Sequence, residues 1–258
     1  MGKSEQQGQV RRPLAPLAGT FYLVLASLVF VAPVGVLGAI YLNEYAKEGW
    51  LNRIISITVT SLAGVPSIVH GLFGLGAFVL TMLPGVNSLF GLEGDEQWEA
   101  GLLTAALTIA VMNLPVIITA TREALGAVPQ AFREACWNLG ATRWQTVRTI
   151  VLPNSLSGIL TGVILEICRC AGETAPIIFT GATFFKFVAD DGFDKIFPYH
   201  IGEPFMALSM HLHVISSQIS QMPDVMKFGC AAVVLMLILF INSFAIVLRV
   251  WLRGRKRW

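Results

Sequence analysis

Long apolar blocks separated by short polar segments dominate this chain of 258 residues. A block of about 20 apolar residues predicts a helix long enough to cross the hydrocarbon core of a bilayer. Pro33 with Gly35 predicts a kink in the first such helix, and Pro115 predicts one in the third. The pattern therefore predicts an all-α polytopic membrane protein with about five transmembrane helices, at residues 21–42, 66–83, 101–121, 155–181 and 228–250.

Two further segments are shorter or mixed in character. Residues 51–63 predict a helix at the membrane interface or in the core, and Val65-Pro66 predicts a break after it. Pro84-Gly85 predicts the end of the second transmembrane helix. Aromatic residues and prolines are frequent between residues 184 and 227, where the pattern around Pro204–Ile219 predicts a re-entrant or interfacial helix.

The composition agrees with a membrane location. Apolar residues make up 55% of the chain and charged residues 13%, with a mean hydropathy of +0.68, whereas soluble domains carry about 25% charged residues. The first apolar block is too long for a signal peptide and lacks a small-residue cleavage site. The four cysteines form no C-x-x-C pair, and Cys168 and Cys170 point to different helix faces, so no metal site, disulfide or cofactor is predicted.

The distribution of charge predicts a topology. The polar loop at residues 122–153 carries four arginines and the C-terminal tail at residues 253–258 carries four basic residues, whereas the loop at residues 93–99 carries four acidic ones. The positive-inside rule places the arginine-bearing loop and the C-terminus in the cytoplasm and the acidic loop outside. Five spans then place the N-terminus outside, where Arg11 and Arg12 violate the rule.

The predicted organisation has three parts. Residues 1–17 form a polar N-terminal segment, residues 18–252 form a transmembrane domain that contains the loop 122–153, and residues 253–258 form a basic cytoplasmic tail. The predicted location is the cytoplasmic membrane.

The polar loop predicts a helix-turn-helix hairpin. Pro129 suits a first helical position, Gly140 suits a left-handed helix cap, and Thr142 with Gln145 has the form of a capping box. The second helix is predicted to end before Pro153. A DNA-binding motif and an amphipathic surface hairpin are the alternatives, and DNA binding is disfavoured because the loop has no clustered basic face.

This loop resembles the cytoplasmic coupling loop of ABC-transporter importer permeases. The resemblance rests on Glu134-Ala135-Cys136, Gly140 and Leu152-Pro153, with Cys136 where the family usually has alanine. In that family the loop inserts two short helices into a cleft on the ATPase subunit. The resemblance implies ATPase-coupling roles for Glu134, Ala135, Gly140, Leu152 and Pro153.

The fourth apolar block contains three charges, Glu166, Arg169 and Glu173, at helical spacings of three and four residues. Each ionised side chain at mid-membrane costs about 2.5–3.5 kcal/mol on insertion scales, so such charges pair or line a polar pathway. One reading is an ion pair that fixes helix packing. The other is an anion pathway in which Arg169 contacts the substrate and Glu173 holds Arg169 between transport events. Pro176 predicts a kink in this helix.

The run Arg169-x-x-Gly172-Glu173-Thr174-Ala175-Pro176, with Phe179-Thr180, resembles the A-type (PstA) permease subunit of bacterial phosphate-import ABC transporters. Stretches at residues 39–45, 65–73 and 114–117 agree with that family. The resemblance implies a type I ABC importer permease fold of the MetI-like kind. The candidate substrate-pathway residues are Arg169, Glu173, Glu166 and Thr174.

The same resemblance implies partners. They are a companion permease of the C type (PstC), two copies of an ATPase (PstB) and a phosphate-binding protein (PstS) that delivers inorganic phosphate. The chain has no Gly-x-x-x-x-Gly-Lys-Ser/Thr phosphate loop, so ATP hydrolysis is expected on the separate ATPase subunit and no enzymatic activity on this chain.

Several features depart from the family pattern. Arg122-Glu123 stands where the family carries a longer Arg-Thr-Thr-Glu-Glu run, Glu166 stands where it often has a small apolar residue, and family members normally start with a further transmembrane helix. The alternatives left open are a permease for another oxyanion, an N-terminally truncated inactive paralogue, and an intramembrane enzyme using His70 or the fourth-span carboxylates. His70, His211 and His213 are interpreted as packing or water-facing residues.

Overall fold

A computed structural model of the chain describes residues 14–47, 49–94, 97–181, 204–219 and 223–254. Most of the polar N-terminal segment, Asp95 and Glu96 of the acidic loop, and residues 255–258 of the basic tail lie outside the described residues. The mixed segment between residues 184 and 227 is described only in part.

The described residues are almost entirely helical. In chain order the α-helices are α1 (Leu14–Ile40), α2 (Trp50–Ala63), α3 (Ser67–Gly74), α4 (Leu83–Phe90), α5 (Leu102–Gly126), α6 (Gln130–Asn138), α7 (Arg143–Thr146), α8 (Leu152–Gly172), α9 (Ala175–Thr180), α10 (Leu208–Ser217) and α11 (Asp224–Gly254). π-Helical segments occupy Tyr41–Tyr45, Leu75–Met82 and Val147–Val151.

These elements combine into helices of membrane-spanning length. Within the described part of the chain, five are long and apolar enough to cross a bilayer: Pro16–Tyr45, Ser67–Phe90, Leu102–Gly126, Arg143–Gly172 and Asp224–Phe244. The predicted all-α architecture with about five transmembrane helices is therefore confirmed.

Two prolines that were predicted to end helices lie inside them. A proline in an α-helix has no N–H to donate and its ring collides with the carbonyl four residues earlier. Before both Pro84 and Pro153 the helix widens into a π-helical segment, in which the N–H of Leu83 bonds to the Phe78 carbonyl and that of Leu152 to the Val147 carbonyl. Such local π adjustment lets a membrane helix continue through proline. The two predicted ends were wrong for this reason.

The predicted break at Val65-Pro66 is present. α2 ends at Ala63, Pro66 has an extended backbone with ψ of 141°, and α3 begins at the next residue. No π-helical segment precedes Pro66 in this described stretch. Pro33 and Pro115 lie inside the continuous helices α1 and α5. The described chain therefore accommodates proline within an α-helix, after a π-helical segment or at a break between helices.

The described residues within Met1–Leu28, Pro66–Ala110 and Arg169–Leu239 form one compact unit. α10, predicted as a re-entrant or interfacial helix, is buried in it, and its first N–H, on Leu208, donates to Thr20 Oγ1 at 2.8 Å. The core of this unit contains Leu23, Leu102, Ala105, Ala106, Ile109, Cys170, Ile177, Phe205, Ala207, Met210 and Val214.

The described residues within Val29–Val65, Val111–Cys168 and Phe240–Trp258 form a second compact unit. One apolar cluster in it joins Ile40, Leu125, Val128, Val147 and Val151. In another, the α2 residues Ile55 and Val59 pack against Ala39, Leu42 and Ile118. α2 itself has no buried residue, so it lies at the edge of its unit and not in its core.

Gly71 allows a close approach between α3 and α9. A Cβ built on Gly71 would lie 2.9 Å from Pro176 Cα and 3.2 Å from the Pro176 carbonyl oxygen. Both atoms belong to the backbone, which cannot rotate away. The absence of a side chain at Gly71 is therefore what lets α3 support α9.

We expect Gly71→Val to destabilise the protein, because overpacking a close helix contact costs about 1–3 kcal/mol. Gly76→Val is the matched control, since a Cβ at Gly76 meets nothing within 4 Å. Thermal unfolding of the detergent-solubilised protein should show a lower Tm for Gly71→Val than for the control. Equal Tm values for the two variants would contradict the close approach.

Candidate substrate pathway and coupling hairpin

The fourth span is broken at its candidate site. α8 ends at Gly172, Glu173 and Thr174 are not helical, and α9 begins at Ala175 with Pro176 in its first turn. Pro176 has no N–H to donate to the Gly172 carbonyl, which favours interruption at this point. The predicted span at residues 155–181 with a kink at Pro176 was wrong at both ends, because the continuous helix runs from Arg143 to Gly172.

Hydroxyl groups from other helices stabilise the interrupted backbone. Ser209 Oγ donates to the Glu173 carbonyl at 2.8 Å, and Thr104 Oγ1 donates to the Thr180 carbonyl at 2.5 Å. The Glu173 carbonyl lies in the break and the Thr180 carbonyl at the C-terminal end of α9, and regular helical donors are missing at both places. Sequence reasoning missed both residues, because a single serine or threonine in an apolar segment carries no recognisable pattern.

Arg169 and Glu173 meet at this break. Arg169 Nε lies 3.4 Å from Glu173 Oε1, and the two side chains are 45% and 18% exposed. A long, partly exposed contact of this kind contributes little to stability. Nearly half of the Arg169 side-chain surface remains open, so the pair has the geometry of a cation that is held loosely and can meet an anion.

The other two candidate pathway residues lie in different surroundings. Thr174 is half-buried within the break, next to Glu173. Glu166 is only 3% exposed. The structure therefore brings Arg169 and Glu173 together, places Thr174 beside them along the chain, and buries Glu166.

Local contacts surround the three histidines within the described residues. His70 is 4% exposed and its Nδ1 lies 3.3 Å from the Pro66 carbonyl oxygen. His211 is equally buried within α10, and His213 Nδ1 lies 3.4 Å from Ser217 Oγ. Among the described residues, no three His, Cys, Asp or Glu side chains are placed to hold a metal ion.

The hairpin between the third and fourth spans has the predicted local structure. Gly140 has a φ of +82°, and the N–H groups of Ala141 and Gly140 bond to the carbonyls of Cys136 and Trp137 at 3.0 and 2.9 Å. These two bonds define a Schellman cap, which glycine accommodates without steric cost. The capping box of Thr142 and Gln145 is also present. Pro129 precedes the first helical residue instead of occupying it.

The predicted coupling residues fall into two groups. Glu134, Ala135 and Gly140 are exposed on the hairpin. Leu152 and Pro153 belong to α8, where Leu152 packs against the Ile40 cluster and Pro153 is exposed. The hairpin also exposes large apolar side chains that sequence reasoning did not select: Phe132 (43%), Trp137 (41%), Leu139 (88%) and Trp144 (56%).

Arg133 has a role that the charge pattern did not reveal. Its Nη2 and Nε donate to the two carboxylate oxygens of Glu44 at 2.8 and 3.2 Å. Nη1 donates to the Val128 carbonyl at 2.7 Å, and Nη2 also donates to the Leu125 carbonyl at 2.8 Å. The Arg133 and Glu44 side chains are 8% and 7% exposed. Their separation of 89 residues explains why no local motif could have indicated the pair.

The family of the chain follows from a comparison with known proteins. The described residues combine five candidate membrane helices, an ion pair at the end of the fourth and an exposed helical hairpin between the third and fourth. The family model for "Binding-protein-dependent transport system inner membrane component" matches residues 31–258. The chain belongs to this family.

Curated relatives cover different shares of the chain. The probable ABC transporter permease protein YqgI of Bacillus subtilis is 32% identical over 230 residues, which cover 87% of this chain and 73% of the relative. The phosphate transport system permease protein PstA of Yersinia pestis is 38% identical over 164 residues, and PstC of Mesorhizobium japonicum is 33% identical over 177. These alignments cover 64% of this chain but only 50% and 54% of the two relatives, so the chain spans about half their length.

Solved structures share the fold. An inward-facing structure of the MetNI methionine ABC transporter aligns over the whole of both chains with a TM-score of 0.60 at 19% identity. An amino acid ABC transporter aligns over 95% of both chains with a TM-score of 0.61 at 14% identity. At these identities the likeness concerns the fold, and it confirms the predicted MetI-like architecture.

We expect Gly140→Ala to loosen the hairpin turn, because a left-handed conformation costs a non-glycine residue about 1–2 kcal/mol. Hydrogen exchange at the Ala141 amide, which closes the cap, should become faster. Gly126→Ala is the control, since Gly126 ends α5 without a positive φ and a Cβ there meets nothing within 4 Å. Unchanged exchange at Ala141 in Gly140→Ala would contradict this account of the cap.

Proposed function

We propose that this chain is a membrane-spanning permease subunit of an ATP-driven importer of inorganic phosphate. The assignment of phosphate as the substrate rests on the 38% identity to a permease named for phosphate transport and on the Arg169-to-Pro176 run. Relatives of the A type and the C type match at similar identities. The Gly-Glu-Thr-Ala-Pro sequence at residues 172–176 favours the A type.

The geometry at the helix break supports recognition of an anion. Arg169 is a permanent cation with five N–H donors, and phosphate oxygens accept hydrogen bonds from a guanidinium in a bidentate arrangement. Its side chain is 45% exposed, and its contact with Glu173 is a single long one of 3.4 Å. In the proposed cycle, phosphate replaces Glu173 as the partner of Arg169, and Glu173 returns when phosphate leaves. Thr174 lies next to this exchange in the chain, whereas the burial of Glu166 favours a packing role for it.

The hairpin supports a proposed coupling to ATP hydrolysis. Its exposed residues include the carboxylate of Glu134 and the apolar side chains of Trp137 and Leu139. An exposed cluster with aromatic members is typical of a surface that a partner protein covers. The proposed partner is the ATPase dimer. A companion permease would complete the membrane pathway, and a phosphate-binding protein would deliver the substrate.

The proposed location is the cytoplasmic membrane, with the hairpin and the C-terminus in the cytoplasm. The support is the basic composition of the loop at residues 122–153 and of the tail at residues 253–258. This orientation is the one in which the hairpin reaches a cytoplasmic ATPase.

We expect Arg169→Ala to reduce uptake of radiolabelled phosphate at least tenfold in cells that also express the companion permease, ATPase and binding protein. The physical reason is that the variant lacks the permanent cation whose hydrogen bonds replace those that phosphate makes with water. Lys227→Ala is the matched control, because Lys227 lies 3.4 Å from Asp224 in another helix-local ion pair. The control should keep normal uptake, with equal assembly of both variants.

Two results would count against this proposal. Full phosphate uptake by an assembled Arg169→Ala complex would show that Arg169 serves packing and not substrate recognition. A wild-type complex that assembles but transports sulfate or molybdate in place of phosphate would indicate a same-fold permease for another oxyanion.

We expect Leu139→Asp to abolish copurification of the ATPase with the permease, because a carboxylate would have to be desolvated in the covered interface. Leu89→Asp is the control, since Leu89 has a similar exposure, 81% against 88% for Leu139, but lies outside the hairpin. Copurification from detergent, measured by quantitative immunoblot, compares the two. Retention of the ATPase by Leu139→Asp would contradict docking at this tip.

A further inference from the structure

Arg133 connects the first hairpin helix to two other parts of its unit. Four hydrogen bonds leave its guanidinium: two to the Glu44 carboxylate and one each to the carbonyls of Leu125 and Val128. They use four of the five N–H donors of the group. The acceptors come from the π-helical end of the first span, from the last turn of α5 and from the residues just after α5.

The acceptors suit a buried cation. The Leu125 carbonyl lies in the last turn of α5, where carbonyls lack regular helical donors and carry the negative end of the helix dipole, and the Val128 carbonyl lies two residues beyond the end of that helix. Glu44 supplies a full negative charge in a bidentate arrangement, which fixes direction as well as distance. A lysine at position 133 has no planar fork and cannot reproduce that arrangement.

Arg133 is also the main side-chain attachment of its helix. Within α6, which is described completely, Arg133 is the single buried residue, whereas Cys136 is half-buried and the others are exposed. Two of its acceptor residues, Leu125 and Val128, also belong to the apolar cluster that contains Ile40, Val147 and Val151. A displacement of α6 therefore reaches the ends of the first and third spans through Arg133.

Stability alone does not account for this arrangement. A buried ion pair pays a large desolvation penalty, and apolar residues of similar volume often replace it without loss of stability. What apolar residues cannot replace is the fixed direction of a bidentate contact. The value of the pair lies in the orientation that it imposes on α6.

We infer that the Arg133–Glu44 pair is a rigid joint that transmits movement of the coupling hairpin to the first and third membrane spans. Arg133 and Glu44 are positioning residues in this inference, which rests on the proposed function for the source of the movement. The joint makes ATP hydrolysis productive, because without it the hairpin moves while the spans do not follow.

The test uses the full chain assembled with its companion permease and ATPase, and the double variant Arg133→Met/Glu44→Leu. This variant removes the joint and leaves no unpaired buried charge. Asp224→Leu/Lys227→Met is the control, since it removes an exposed ion pair elsewhere in the chain. In proteoliposomes with the binding protein, we expect the ATP consumed per phosphate imported to rise at least fivefold in the first variant and to stay at the wild-type value in the control.

A second readout needs neither phosphate nor ATP. Spin labels at Tyr41 and Asn138, both exposed, report the distance between the end of the first span and α6 in a cysteine-free background. We expect a narrow distance distribution in the otherwise unchanged chain and one at least twice as wide in Arg133→Met/Glu44→Leu. A purely structural role predicts lower assembly with an unchanged ratio of ATP to phosphate.

Three results would overturn the inference: an unchanged ratio, an unchanged width of the distance distribution, or full coupling by Arg133→Lys. Failure of the proposed function has a different signature. A wild-type complex that assembles but imports no phosphate would contradict the proposed function, whereas the label distances would still decide whether the joint is rigid.

Discussion

Every backbone N–H and carbonyl within a bilayer must find a partner inside the protein, because no water is present to replace it. This constraint explains why nearly all described residues are helical. It also explains how the chain treats proline, which removes one donor wherever it occurs. Before Pro84 and Pro153 the helix widens to a π-helical register and continues.

At Pro176 the same constraint is met differently. The helix stops at Gly172, and the hydroxyl groups of Ser209 and Thr104 donate to the carbonyls of Glu173, in the break, and of Thr180, at the end of α9. Glu173 lies just beyond the last helical residue, and its four-residue spacing from Arg169 brings the two side chains into contact. The charged pair therefore lies at the point where the helix ends. The close approach at Gly71 supports the shorter helix that follows the break.

The two arginine–glutamate pairs illustrate opposite uses of one chemistry. Arg133 and Glu44 are buried and bidentate, with further bonds to two carbonyls, so their geometry is fixed. Arg169 and Glu173 are partly exposed and share one contact of 3.4 Å. Burial makes the first pair costly to separate, and exposure makes the second easy to exchange. The first suits transmission of force, and the second suits transient contact with an anion.

Local chemistry in the sequence was enough for the helical class, the five membrane-length segments, the break at Val65-Pro66 and the cap and capping box of the hairpin. These features depend on runs of apolar residues and on neighbours three or four positions apart. The ends of the second and fourth spans were not predictable, because the choice between a π-helical segment and a break depends on which groups lie nearby to accept or donate. Only the tertiary structure decided that Glu44 meets Arg133, that Ser209 supports Glu173, and that Glu166 is buried while Arg169 is exposed. The physical reason is that these contacts join residues far apart in the chain or depend on what packs around a helix, and neither is encoded in the spacing of residues along it.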